Sequence, residues 1–377
     1  FGTAQRQRLR PGGTVLLAGG CAYDIDELDL SATGTRLFAG DGPVPPGFTR
    51  VELDAVPARA IDDLLLSGSD PDLVERTFPL LADDGLMLLG THGQPFGRDV
   101  VIQLGRVHYG NVRIVAAGRF AEALSLVPPS SEIRGGDHVL VVGAGGPMGT
   151  MAMLLAIARS RPDALVEGCG RDAGRLSALR DRIGTPAVRT RIFDAEREQP
   201  DGAVDYSILM APELVGYAIR AAAPGGIINM FASPPAEAMV SLDLDAIAAK
   251  RLYLLGTSGS TVDDMQAVLR KAEAGEINPD ISVGAVAGLA GAIAGYQAVR
   301  DRRIAGKVIV YPELVDCPLT TLAELAEAYP SMAPMLAESV WSAAAERELA
   351  TCFQKAVTAA APATVRTSST SSRDSEP

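Results

Sequence analysis

The residues with the clearest chemical potential are Gly143-Ala144-Gly145-Gly146-Pro147-Met148-Gly149, which join an apolar strand pattern at 138–142 to an apolar helix pattern opening at Thr150. A strand that turns through glycine into a helix N-terminus makes a phosphate cradle. Bare backbone admits a pyrophosphate, and unpaired N–H groups with the helix dipole hold its charge. The run predicts a dinucleotide site. Its spacing fits the dinucleotide fingerprint in two ways, as Gly143, Gly145, Gly149 with one extra residue or as Ala144, Gly146, Gly149 with alanine leading. A tight turn that needs glycine only for backbone freedom is the plain alternative.

The next strand pattern, 164–167, ends at Gly168-Cys169-Gly170-Arg171-Asp172, where an acidic residue commonly holds the adenosine ribose. Arg171 suits a 2′-phosphate, which favours NADP, while Asp172 keeps NAD open. Arg171 reads equally well as a solvated surface arginine.

Positioning these groups takes alternating strands and helices. Short apolar strands at 205–210, 227–232 and 252–255 follow the loop, with a helix at 214–223 closed by Pro224-Gly225-Gly226. Such alternation builds a parallel sheet covered on both faces, and ligands bind beyond the carboxyl ends of its strands. Met210, Ala211, Phe231, Ala232, Ser233, Gly256, Thr257 and Ser258 then ring one crevice in which a nicotinamide would lie.

The chain also repeats itself. Pro71-Asp72-Leu73-Val74 recurs 141 residues later as Pro212-Glu213-Leu214-Val215, Gly85 recurs as Gly226, and Gly118 as Gly259. Upstream, 10–16 matches 134–140 at an offset of 124, so the first copy lacks 17 residues, the part that would bind a cofactor. Its first strand instead runs toward Asp24, Asp26 and Glu27, whose charge would repel a pyrophosphate.

The predicted fold is therefore α/β, with two tandem Rossmann-like doubly wound parallel sheets and a C-terminal helical appendix. A degenerate domain at 1–118 and a linker at 119–135 precede an NAD(P)-binding domain at 136–259. A further segment at 260–315, an appendix at 316–361 apolar around Trp341, Leu349 and Phe353, and a floppy tail at 362–377 complete the chain. The apolar segments 111–115 and 252–255, related by the same offset, predict that the two sheets join edge to edge as an intrachain pseudo-dimer.

Gly256-Thr257-Ser258-Gly259-Ser260-Thr261-Val262-Asp263-Asp264-Met265, Ala274-Gly275-Glu276-Ile277, Gly306-Lys307-Val308-Ile309-Val310-Tyr311 and Asn229-Met230-Phe231-Ala232 resemble the carboxyl-terminal part of medium-chain zinc-type alcohol dehydrogenases. The sorbose-1-phosphate and sorbitol dehydrogenase-like branch, with Gly-Pro-Met-Gly in its cofactor loop, is the most similar. The match spans about 134–320, and the first copy resembles the same branch through Gly105-Arg106-Val107-His108-Tyr109. This resemblance implies an NAD(P)-dependent oxidoreductase of small alcohols or sugar phosphates.

That family holds catalytic zinc through Cys, His and Glu in an amino-terminal lobe. Here there is no Gly-His-Glu motif, and His92, His108 and His138 stand far apart beside isolated Cys21, Cys169, Cys317 and Cys352. No zinc is expected in this chain, no catalytic residue is assigned, and each histidine reads first as structural. The chain opens at Phe1, and 5–9 reads as the end of a helix, so a fragment is expected whose upstream lobe carries metal and substrate contacts. A nucleotide-binding or assembly module without chemistry is the other functional class.

A net charge of −12 makes nucleic acid a poor partner, because phosphate binding needs a basic face. No uncharged apolar run is long enough to span a bilayer, and scattered cysteines fit a reducing cytoplasm.

Overall fold

The computed structural model describes residues 4–20, 24–231, 235, 237–260, 262–301, 303–304, 306–336 and 340–360, without the side chains of 354–360. Two compact units result, Phe1–Pro279 and Asp280–Pro377.

In the first unit, strands β1 (Val15–Gly19), β2 (Arg36–Ala39), β3 (Thr49–Arg50), β4 (Ile61–Ser67), β5 (Leu81–Gly90), β6 (Val100–Gln103) and β7 (Arg113–Ala117) belong to the first repeat. The second repeat supplies β8 (Val139–Val142), β9 (Leu165–Gly170), β10 (Arg189–Asp194), β11 (Val204–Leu209), β12 (Ala222–Met230), β13 (Met239–Leu242) and β14 (Tyr253–Gly256). Among the described residues one sheet of 12 strands runs β10-β9-β8-β11-β12-β14-β7-β5-β4-β1-β2-β3. Read from each outer edge toward the middle, each half has the 3-2-1-4-5-6 order of a dinucleotide-binding sheet.

Burial on both faces explains the strand composition. Val15, Leu17, Leu65, Leu88, Val139, Val141 and Tyr206 pack on one side, and Leu16, Leu64, Met87, Ile114, Leu140, Val142 and Ile228 on the other. Successive residues of a strand point to opposite faces, so continuous apolar runs are what a doubly covered sheet requires.

Equivalent hydrogen bonds recur within each repeat. Thr14 N donates to Asp62 Oδ2 at 2.8 Å, and His138 N donates to Asp205 Oδ2 at 2.9 Å. Arg106 donates to the Leu81 carbonyl, and Lys250 donates to the Ala222 carbonyl that the 141-residue offset matches to it. The halves meet where β14 pairs antiparallel with β7, Tyr253 opposite Val115, Leu254 opposite Ile114 and Leu255 opposite Arg113. Leu254 and Leu255 are the offset counterparts of Arg113 and Ile114, so the two central pairs exchange under a twofold rotation. The separate β13–β6 ladder behaves alike: Ser241 faces Val101 and Leu242 faces Val100.

Two local expectations are corrected. Residues 5–9 form no helix. Instead Gln5 lies buried at the seam, where its Oε1 accepts from Tyr253 at 2.7 Å and Arg113 at 2.8 Å, and its Nε2 donates to Ser131 at 3.0 Å. Strand β9 runs on to Gly170, so Gly168 and Cys169 lie inside the strand instead of at its tip. Gly168 faces the Met153 thioether and Ala144, which leave no room for a Cβ. Because Gln5→Ala would strand the Tyr253 hydroxyl and one Arg113 donor away from water, it is expected to cost about 2 kcal/mol. A urea midpoint unchanged from wild type would contradict this.

The second unit contains β15 (Val283–Ala287) between β16 (Lys307–Val310), parallel to it, and β17 (Thr320–Thr321), antiparallel. Helices Leu322–Ala328 and Ala343–Ala360 follow. Trp341, Leu349 and Phe353 pack with Val283, Val286 and Leu314, and Trp341 Nε1 donates to the Tyr311 hydroxyl. The tail from 361 lies outside the described residues.

Candidate dinucleotide site

Strand β8 delivers the glycine loop. Gly143 has φ +87°, a backbone conformation that favours glycine, and the N–H groups of Gly143 and Ala144 donate to the Cys169 carbonyl at 2.8 and 2.9 Å. A Cβ at Gly149 would overlap the Gly143 carbonyl oxygen, so this glycine lets the helix Pro147–Arg159 close on the strand. Gly145 faces Arg175 Cβ, 2.9 Å from where its own Cβ would stand. At Gly146 the nearest atom to a Cβ is 3.8 Å away, and this residue caps the helix with no side chain. Turn, open approach and close packing thus fall on Gly143, Gly146 and Gly149, a spacing between the two readings of the sequence.

Pro147 at the first turn lacks an N–H, and the N–H groups behind it have no acceptor within the helix. A cavity of about 530 Å³ opens on this end. Its walls are Gly143, Gly146, Pro147, Met148, Gly149, Met210, Phe231, Thr257, Ser258, Gly259, Ser260 and His108. Strand ends β8, β11, β12 and β14 bring these residues together from positions more than a hundred apart. Ala232 lies outside the described residues.

Arg171 and Asp172 do not line the cavity. Asp172 caps the helix Ala173–Ile183 by accepting from Arg175 N at 3.0 Å. Arg171 pairs with Glu213 at 2.9 Å, both side chains about half exposed. Such a pair contributes about 0–1 kcal/mol, so an arriving phosphate can displace it.

Two wall residues are held by hydrogen bonds, one of them through a relay. Thr257 Oγ1 donates to Asn229 Oδ1 at 2.8 Å, Asn229 donates to Tyr206, and Tyr206 donates to the Ser131 carbonyl. Ser258 N donates to Asn111 Oδ1 at 2.8 Å. Burial pushes the Cys169 thiol up to about 12, which makes it an inert core group. His108, Asn111 and Asn229 escaped the sequence reading as site residues. In the sequence, Gly105-Arg106-Val107-His108-Tyr109 and Asn229-Met230-Phe231-Ala232 read as family resemblance alone, and Asn111 only as the start of an edge strand.

Among the described residues no group of three His, Cys, Asp or Glu side chains is placed to hold a metal ion. No helix there is long and apolar enough to cross a membrane.

No family profile matches the sequence. A curated relative, the L-sorbose 1-phosphate reductase of Klebsiella pneumoniae, is 27% identical over 232 residues, covering 58% of this chain and 55% of its own. Over those residues the chain is similar to a sorbose-1-phosphate reductase. The chain spans about half the length of the curated relative it matches. Among solved structures, the cobalt- and zinc-bound thermostable alcohol dehydrogenase of Pyrobaculum aerophilum is 23% identical, with a TM-score of 0.41 over 48% of this chain and 52% of that one. The L-idonate 5-dehydrogenase of Escherichia coli K-12 is 16% identical, with a TM-score of 0.41 over 48% and 51%.

Proposed function

We propose that residues 136–259 bind a nicotinamide dinucleotide for an oxidoreductase acting on a small alcohol, polyol or sugar phosphate. The observation that carries this is the cavity over the helix N-terminus at Gly146, walled by four strand ends. The loop N–H groups hold the pyrophosphate, and Met210, Phe231, Thr257 and Ser258 pack around the nicotinamide and exclude water. When bound, the cofactor accepts or donates a hydride. The sorbose-phosphate reductase-like relative supports the substrate class.

The metal ligands that polarise an alcohol oxygen in this family lie, on this reading, outside the described residues. The first repeat, 1–118, retains its fold because it occupies the place of a partner subunit, and the β7–β14 ladder supports that pseudo-dimer.

NADP is favoured over NAD through Arg171. If so, Arg171→Ala weakens NADP by about tenfold more than NAD, the worth of one charge-assisted contact. Glu213→Gln, which releases Arg171 from its ion pair, tightens NADP severalfold and leaves NAD unchanged. Calorimetric titration of both dinucleotides reads both changes. Parallel losses for the two dinucleotides in Arg171→Ala would show that Arg171 does not read the 2′-phosphate, and a wild-type chain that binds neither dinucleotide would overturn the function itself.

A further inference from the structure

We propose that His108, a residue of the first repeat, is a positioning residue for the nicotinamide end of the dinucleotide held by the second. The inference rests on the dinucleotide reading above. His108 lines the same cavity as Gly146 and Thr257, although it comes from the helix Leu104–Tyr109 on the far side of the β7–β14 seam. Its ring is buried and bridges the two strand ends flanking that cavity. Nδ1 lies 3.2 Å from the Met230 carbonyl at the end of β12, and the ring lies beside the main chain of Thr257 just beyond β14. Tyr109 braces it edge-on, with ring centroids 4.7 Å apart.

The seam itself forces this proximity. A Cβ on Gly256 would overlap the Val107 carbonyl, so the helix carrying His108 lies directly against the last residue of β14. Three residues further along the chain, Asn111 accepts from Ser258 N and fixes the same wall.

Asymmetry points to a ligand role. The 141-residue offset matches His108 to Ala249 and Asn111 to Leu252. Ala249 and Leu252 carry no polar side chain, so the contacts of His108 with the Met230 carbonyl and of Asn111 with Ser258 N have no twofold mate at the first repeat. Packing alone gives no reason for that difference. A site at the second repeat does.

The test uses the full chain and calorimetry with NADPH, NADH, AMP and adenosine 2′,5′-bisphosphate. His108→Ala, which leaves the wall between Met230 and Thr257 unbraced, is expected to weaken both dinucleotides about tenfold, while the adenosine fragments bind within twofold of wild type. His108→Phe, which fills the ring volume without an N–H, should behave as the alanine variant does and serves if that variant does not fold. His108→Asn, which keeps a donor for the Met230 carbonyl, should recover most of the loss.

Unaltered dinucleotide binding in the Ala and Phe variants would overturn the role. So would an equal loss of the adenosine fragments, since a merely structural residue moves both ends together. A wild-type chain that takes up neither fragments nor dinucleotides instead fails the reading on which the inference rests.

Discussion

Gly146→Asp is expected to abolish dinucleotide binding while the fold survives or gains stability. Gly146 has φ −85° and ψ 167°, open to any residue, and a Cβ there meets nothing within 3.8 Å. Asp is among the preferred N-cap residues, ranking a little above Gly, so the melting temperature should hold or rise. Its carboxylate, however, accepts from the first-turn N–H groups on which the pyrophosphate would lie and places a negative charge there. Binding should fall by at least about a hundredfold, equivalent to about 3 kcal/mol. Gly146→Ala, without the charge, should lose much less. If the Asp variant binds either dinucleotide as wild type does, the phosphate site is elsewhere.

The second large effect concerns the opposite end of the same strands. Glu167 has a fully buried side chain that accepts from His138 Nε2 at 2.8 Å, Arg191 at 2.7 Å and Asp201 N at 3.1 Å. Glu167→Ala would strip these partners of their shared acceptor, and breaking a buried charge network by removing one member costs about 3–5 kcal/mol. Arg191 is one-third exposed, so the lower end is expected. Denaturant unfolding reads this directly, and a loss under about 1 kcal/mol would mean that water replaces the network.

Its pH dependence has a definite sign. Burial opposes the charged carboxyl, but the hydrogen bonds from His138, Arg191 and Asp201 overcome it and hold Glu167 below its ordinary 4.5. This contribution is present above 4.5 and lost as pH falls through the lowered value. Burial likewise opposes the charged imidazole, and the Glu167 hydrogen bond and charge outweigh it, so His138 stands above its ordinary 6.5. That part is complete below 6.5 and lost as pH rises through the raised value. The gap between wild type and Glu167→Ala should therefore be widest between about pH 4.5 and 6.5 and narrow on both sides. A gap that keeps widening up to pH 9 would contradict the assignment.

Much of the fold was legible because its signals are local. Buried runs such as Val139–Val142, the glycine turn after them and the constant offset between repeats lie in the order of residues. The strand pairing across 111–115 and 252–255 was legible too, since two apolar edges at the repeat offset have few other places to go. Side chains that act over distance were not legible. The extent of β9 depends on Gly168 accommodating Met153 and Ala144 from a neighbouring element, which no strand pattern encodes. Gln5 seemed to end a helix because its partners, Tyr253 and Arg113, lie 248 and 108 residues away. His108 meets Met230 only after two sheets have joined in one particular register. Arg171 could be placed near an adenosine, but its pairing with Glu213 follows from the loop after β11.

Because both sides of the β7–β14 ladder are encoded in one chain, their joining is an intramolecular event with a fixed local concentration, independent of how dilute the protein is. In an assembly of identical subunits every substitution near such an axis is made twice, and a change useful on one side must be tolerated on the other. A single chain escapes that constraint. One side can lack seventeen residues and a glycine loop that the other keeps, and a histidine can stand on one side opposite an alanine on the other. Symmetry of the backbone then coexists with specialisation of the side chains.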